Sequence, residues 1–152
     1  MTEPTVLNEL YLDVLTHRLG LAPRVLDAGG LMAYALGSYT CLLEHGGLAD
    51  PSFMAVRLSF KAQAFGIDGT LPDATAMLAA AAHVTRRLKV VKACVDEDIV
   101  LFSCEQLVCA RGVLPTAEAV LSVLPRSHDL LTAAPSEFHE TLELNGIAAV
   151  SA

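Results

Sequence analysis

The chain has 152 residues, 53% of them hydrophobic and 18% charged, with 17 acidic against 10 basic side chains and a formal net charge of −7. Apolar content this high excludes a disordered chain, and 10 Gly with 7 Pro exclude a collagen-like or low-complexity polymer. The length suits one domain with its own core, read as residues 1–152 with an ordered core over 5–144 and a small-residue tail over 145–152.

Thr5 to Leu19 reads as a helix, because Leu7, Leu10, Tyr11, Val14 and Leu15 recur at helical spacing. Leu12 and Leu19 fall outside that stripe and widen the apolar arc, as in a helix buried on two sides. Gly20 and Pro23 end it. Arg24 to Lys61 reads as a strand region, with turns at Gly29-Gly30 and Gly46-Gly47. Between them lie strands near Leu31–Leu36 and Tyr39–Glu44, or one long strand kinked at Gly37. Over Phe53–Phe65, Val56, Leu58, Phe60, Ala62 and Ala64 alternate with Arg57, Ser59, Lys61 and Gln63. That period of two predicts an antiparallel strand with one buried face.

A second helix is expected over Leu71–Leu88. Thr70 and Asp73 would form a capping box, with Pro72 in the first turn and Met77, Ala81, Val84 and Leu88 inward. A hairpin follows, Lys89–Val95 and Ile99–Ala110 around Asp96-Glu97-Asp98. Its second strand is apolar on both faces, which predicts cover on both. A third helix starts near Thr116, with Val120, Leu121 and Leu124 inward. Pro125 and Pro135 would split it into Thr116–Leu124, Arg126–Ala133 and Ser136–Leu144. The order α-βββ-α-ββ-α, with no βαβ alternation, predicts an α+β fold with an antiparallel sheet of about five strands.

The residues that could carry chemistry form no recognised pattern. Cys41, Cys94, Cys104 and Cys109 include no CxxC pair, so reduced, core-filling cysteines are expected, with no metal. His17, His45, His83, His128 and His139 have no i, i+4 spacing and read as surface residues. No GxSxG elbow and no glycine-rich phosphate loop occurs. Catalytic residues and cofactors are therefore not expected. The basic run His83 to Lys92 lacks stacking aromatics, and an acidic chain repels phosphate backbones and anionic membranes. Direct DNA binding through Arg86, Arg87 and Lys89 is the weakest functional expectation. The longest uncharged stretch, Ala28–Leu43, is too short and glycine-broken to span a bilayer, and the acidic start is unlike a signal peptide, which predicts a cytoplasmic protein.

Residues 75–142 resemble the YbjN-like proteins, whose fold is similar to that of type III secretion chaperones. The resemblance lies in the helix end Ala82-His83-Val84-Thr85-Arg86-Arg87-Leu88, the hairpin from Lys89 to Leu101 and the helix start Pro115-Thr116-Ala117-Glu118. The first helix and the Arg57–Lys61 strand fit more loosely, and Pro125 and Pro135 depart from the pattern. The resemblance implies a homodimer without cofactor or known chemistry that holds a client protein on apolar grooves. It also suggests a partner in the stress response or in DNA repair, such as a single-stranded-DNA-binding protein.

The leading expectation is thus a non-enzymatic, protein-binding adaptor or chaperone-like homodimer using strand-edge pairing and apolar pockets. Its dimer and client contacts would draw on Leu12 and Leu19 of the first helix and on Ile99, Leu101, Ser103 and Leu107 of the long strand. The alternative is a small enzyme or ligand-binding domain with a buried Cys and His, in a pocket near Cys41, Cys94 or Cys104.

Overall fold

The computed structural model describes residues 3–27, 29–46 and 49–151. Three helices, α1 (Glu3–Asp13), α2 (Ala74–Arg87) and α3 (Ala117–Ser151), accompany six strands: β1 (Arg24–Val25), β2 (Leu31–Leu36), β3 (Tyr39–Gly46), β4 (Asp50–Lys61), β5 (Val91–Asp96) and β6 (Ile99–Leu107). The strands form one antiparallel sheet in the order β1-β2-β3-β4-β6-β5, so the class is α+β. The sixth strand is β1, two residues long and paired only with Met32 and Ala33. By contacts the chain makes two compact units: unit 1 from Met1–Arg57 and Glu105–His128, and unit 2 from Leu58–Cys104 and Asp129–Ala152.

In unit 1, Leu7 and Tyr11 are buried one turn apart on α1, and Val14 and Leu15 extend that face into a π-helical turn over Val14–Arg18. The Leu19 amide reaches back five residues to the Val14 carbonyl at 3.0 Å, which sets the wider turn. β2 and β3 form a hairpin in which Leu36 pairs with Tyr39 across Gly37-Ser38. Gly37 has φ +61°, the left-handed conformation a two-residue hairpin demands, so there are two strands and not one kinked strand. Of the expected Gly46-Gly47 turn, Gly47 lies outside the described residues. The first half of β4 alternates as its sequence suggests, with Ser52, Met54 and Val56 buried; Ala55, on the other face, is buried too.

In unit 2, β4 ends at Lys61 and not at Phe65. Ala62–Phe65 turns into a 3-10 helix, where the Ala62 amide donates to the Asp98 carbonyl at 2.6 Å and Ala64 is exposed. Alanine and glutamine hold a strand weakly, and the bond to Asp98 redirects the chain. The helix α2 starts three residues later than expected. Asp73 is its N-cap, accepting from the Ala76 amide at 3.0 Å, in place of a Thr70 capping box; the Thr70 hydroxyl donates to the Ile67 carbonyl instead. Met77, Ala80, Ala81 and Val84 are buried and Leu88 is half-buried. The Thr85 hydroxyl oxygen accepts the Ala93 amide at 3.0 Å, so α2 covers part of the free edge of β5. Phe60, Phe65, Phe102 and Phe138 form the aromatic core of this unit, with ring centroids 4.8–6.4 Å apart and edge-to-face geometry.

The final helix corrects the reading of its prolines. α3 is continuous through Pro125 and Pro135 and runs to Ser151. Each proline removes one amide donor. The buried stripe nevertheless runs through both at helical spacing, as Val120, Leu124, His128, Leu131, Ala134, Phe138 and Leu142. Burial of that stripe outweighs two missing hydrogen bonds.

Candidate functional site

Unit 1 carries both a buried polar chain and an open cavity. In the chain, hairpin register sets Tyr34 directly opposite Cys41. The Cys41 thiol donates to the Tyr34 oxygen at 3.5 Å, and the Tyr34 oxygen lies 2.6 Å from Nε2 of His128. All three side chains are buried. Burial, reinforced by Cys41, pushes the Tyr34 phenol far above its ordinary range. Burial also pushes the Cys41 thiol up, against the opposing pull of its hydrogen bonds with Tyr34 and the Arg57 backbone. A thiol held protonated and sealed from solvent is a structural group and a poor nucleophile.

A second buried histidine locks α1 to the sheet. Nε2–H of His45 donates to Asn8 Oδ1 at 2.6 Å, and its ring stacks on Tyr11 with centroids 5.2 Å apart and planes 9° apart. Burial lowers the His45 pKa, while Asp27 and Glu44 pull it the other way. His45 and His128 are therefore core residues, which corrects the surface reading of these two histidines. The spacing held the signal. His45 follows Cys41 and Leu43 at period two, and His128 falls between Leu124 and Leu131 at helical intervals.

The cavity, about 680 Å³, opens between the start of β4 and the segment after β6. Its apolar wall is Pro51, Leu107, Val113 and Leu114, and its polar groups are Asp50, Ser52, Cys109 and Arg111. Val108 donates its amide to the Ser52 carbonyl at 2.8 Å, which fixes the two sides. Asp50 is engaged locally, taking the Ser52 hydroxyl at 2.5 Å and the Ser52 amide at 3.3 Å. The Cys109 thiol donates to the Val113 carbonyl at 2.9 Å, and burial together with Asp50 pushes its pKa up. The Tyr11 hydroxyl, wholly buried, lacks a hydrogen-bond partner among the described residues, and the nearby Cys109 adds to the burial that raises its pKa.

Of the residues expected to make contacts, Leu107 lines this cavity and is 70% exposed. Leu12 and Leu19 are half-buried in the same unit, and neither lines it. In unit 2, Ile99, Leu101 and Ser103 share one face of β6, opposite Asp96, Cys94 and Lys92 of β5. Ser103 is buried and Leu101 half-buried, whereas Ile99, Lys92, Cys94 and Asp96 are exposed. The first half of β6 is thus open on one face, not covered on both. Cys41 and Cys104 fill the core as expected, but Cys94 is exposed and Cys109 half-exposed. Sequence reasoning missed Asp50, Arg111, Val113 and Leu114 as cavity residues, because no motif marks a loop that folds back on a strand.

Among the described residues, no three His, Cys, Asp or Glu side chains converge as metal ligands, and no helix is long and apolar enough to cross a membrane. Comparison with protein-family models, curated proteins and solved structures gave no match.

Proposed function

We propose that the protein is a non-enzymatic adaptor or chaperone-like homodimer that binds a partner polypeptide. The observation that carries this reading is the exposed apolar wall of the unit 1 cavity, where Leu107 is 70%, Val113 53% and Leu114 43% exposed. Full burial of such a side chain contributes roughly 1.5–3 kcal/mol, so a partner that covers these three gains several kcal/mol. The open face of β6 with Ile99 and Leu101 supports a contact with a second copy. Apolar pockets, more than strand-edge pairing, serve the client, since Thr85 already occupies one outward amide of the β5 edge.

The observed order α-ββββ-α-ββ-α is compatible with the type III secretion chaperone-like fold once β1 is added to the expected strands. On the resemblance to the YbjN-like proteins, the partner is a stress-response or single-stranded-DNA-binding repair protein. The buried Cys41–Tyr34–His128 chain favours the alternative, a small ligand-binding domain or enzyme, but its thiol is sealed and held protonated.

Affinity capture from the native host tests the adaptor reading, with wild type, Leu101→Asp and Leu107→Asp as baits. One polypeptide enriched by wild type and lost with Leu107→Asp is the expected result. Identical capture by all three baits would contradict it.

A further inference from the structure

The unit 1 cavity has a chemical bias beyond its apolar wall. Arg111 lies among Leu107, Val113 and Leu114 and forms no ion pair among the described residues. A guanidinium carries five donors and no acceptor, so its complement is an oxygen anion. The other charged group of the cavity, Asp50, already accepts two hydrogen bonds from Ser52 and is not directed at Arg111 within salt-bridge range. A cationic donor without an ion-pair partner beside an exposed apolar wall fits a ligand that is apolar along its body and carboxylate-bearing at one point. The volume of about 680 Å³ is that of a site for a few side chains.

We propose that this cavity takes an extended apolar peptide segment bearing one carboxylate, which pairs with Arg111 while alternate apolar side chains lie on Leu107, Val113 and Leu114. The assignment rests on the adaptor reading and names the chemistry of its client. The carboxylate is either an acidic side chain or the peptide's own C-terminus. The net charge of −7 does not preclude it, because screening over about 8 Å in physiological salt leaves the nearest charge dominant.

Fluorescence anisotropy with synthetic probes on the full chain tests the proposal. The probes are an amidated octapeptide with three alternating leucines and a central glutamate, its glutamine and lysine counterparts, and the glutamine peptide with a free C-terminal carboxylate. The expected result is about tenfold tighter binding of one carboxylate-bearing probe than of the amidated glutamine probe. Whichever carboxylate gains the advantage identifies its source. Arg111→Gln should erase the advantage, and Arg111→Glu should shift the preference to the lysine probe. Leu107→Asp should weaken every probe, with unchanged circular dichroism as the control for folding. Equal binding of acidic and neutral probes, a preference that survives Arg111→Gln, or no binding up to millimolar probe would overturn it. If host capture still depends on Leu107 in that case, the adaptor reading stands and only the carboxylate assignment fails.

Discussion

Gly30 faces the ring of His45, and replacing it with alanine should be among the most damaging single-methyl changes in the chain. A Cβ at this position would sit 2.4 Å from Cε1 and 2.6 Å from Nδ1 and Nε2 of His45. The ring has little room to retreat, since it is stacked on Tyr11 and bonded to Asn8. Three costs combine. Gly30 has φ +111°, which costs an alanine about 1–3 kcal/mol. Overpacking adds ~1–3 kcal/mol. A displaced ring forfeits its bond to Asn8, about 1 kcal/mol. The expected loss is roughly 3–7 kcal/mol, a large share of the ~5–15 kcal/mol that holds a typical domain. Urea unfolding followed by circular dichroism measures it, as a lower midpoint at unchanged slope. The double variant Gly30→Ala/His45→Ala should lose less than the two single losses added together, because the clash needs both groups. A loss below about 1 kcal/mol for Gly30→Ala, or strict additivity in the double variant, would refute the packing argument.

Other outcomes follow from the same geometry. Burial holds the folded-state pKa of His45 below its value in the unfolded chain, about 6.5. Its contribution to stability is therefore complete above pH 6.5 and falls as the pH drops, because the unfolded chain takes up the proton first. The slope is at most about 1.4 kcal/mol per pH unit, and His45→Gln should flatten the pH dependence of the urea midpoint below pH 6.5. Tyr34→Phe removes the hydrogen bond to Nε2 of His128 inside the core and should cost about 1–3 kcal/mol in the same assay. Phe138→Ala opens the aromatic cluster of unit 2 and should cost roughly 3–5 kcal/mol. Iodoacetamide should label Cys94 first and Cys109 more slowly, and reach Cys41 and Cys104 only in denaturant, as read by mass spectrometry.

Local pattern carried much of the fold and little of the site. Period two in Val56, Leu58 and Phe60 located β4, and the helical recurrence of Met77, Ala81 and Val84 located α2, because half-buried elements write their geometry into hydrophobic spacing. Proline was misleading in α3, since the local rule for Pro125 and Pro135 omits the burial that holds the helix together. The cap of α2 was misplaced because Thr70 and Asp73 are both good caps and only the backbone selects Asp73. The cavity was not legible at all. Asp50 and Arg111 are 61 positions apart in sequence, and nothing local joins them. Leu107 was picked out only as part of a long apolar strand, without a sign that it lies at that strand's exposed end.

The central claim is that a second copy of the chain and a partner polypeptide cover apolar surface that one copy leaves open. Light scattering coupled to size-exclusion chromatography, from 1 to 100 micromolar, tests the first part with no partner identified. A mass near 32 kDa is predicted, about twice the 16.1 kDa of one chain. The folded Leu101→Asp variant should fall to the single-chain mass. A wild-type protein that stays at the single-chain mass throughout this range would contradict the account.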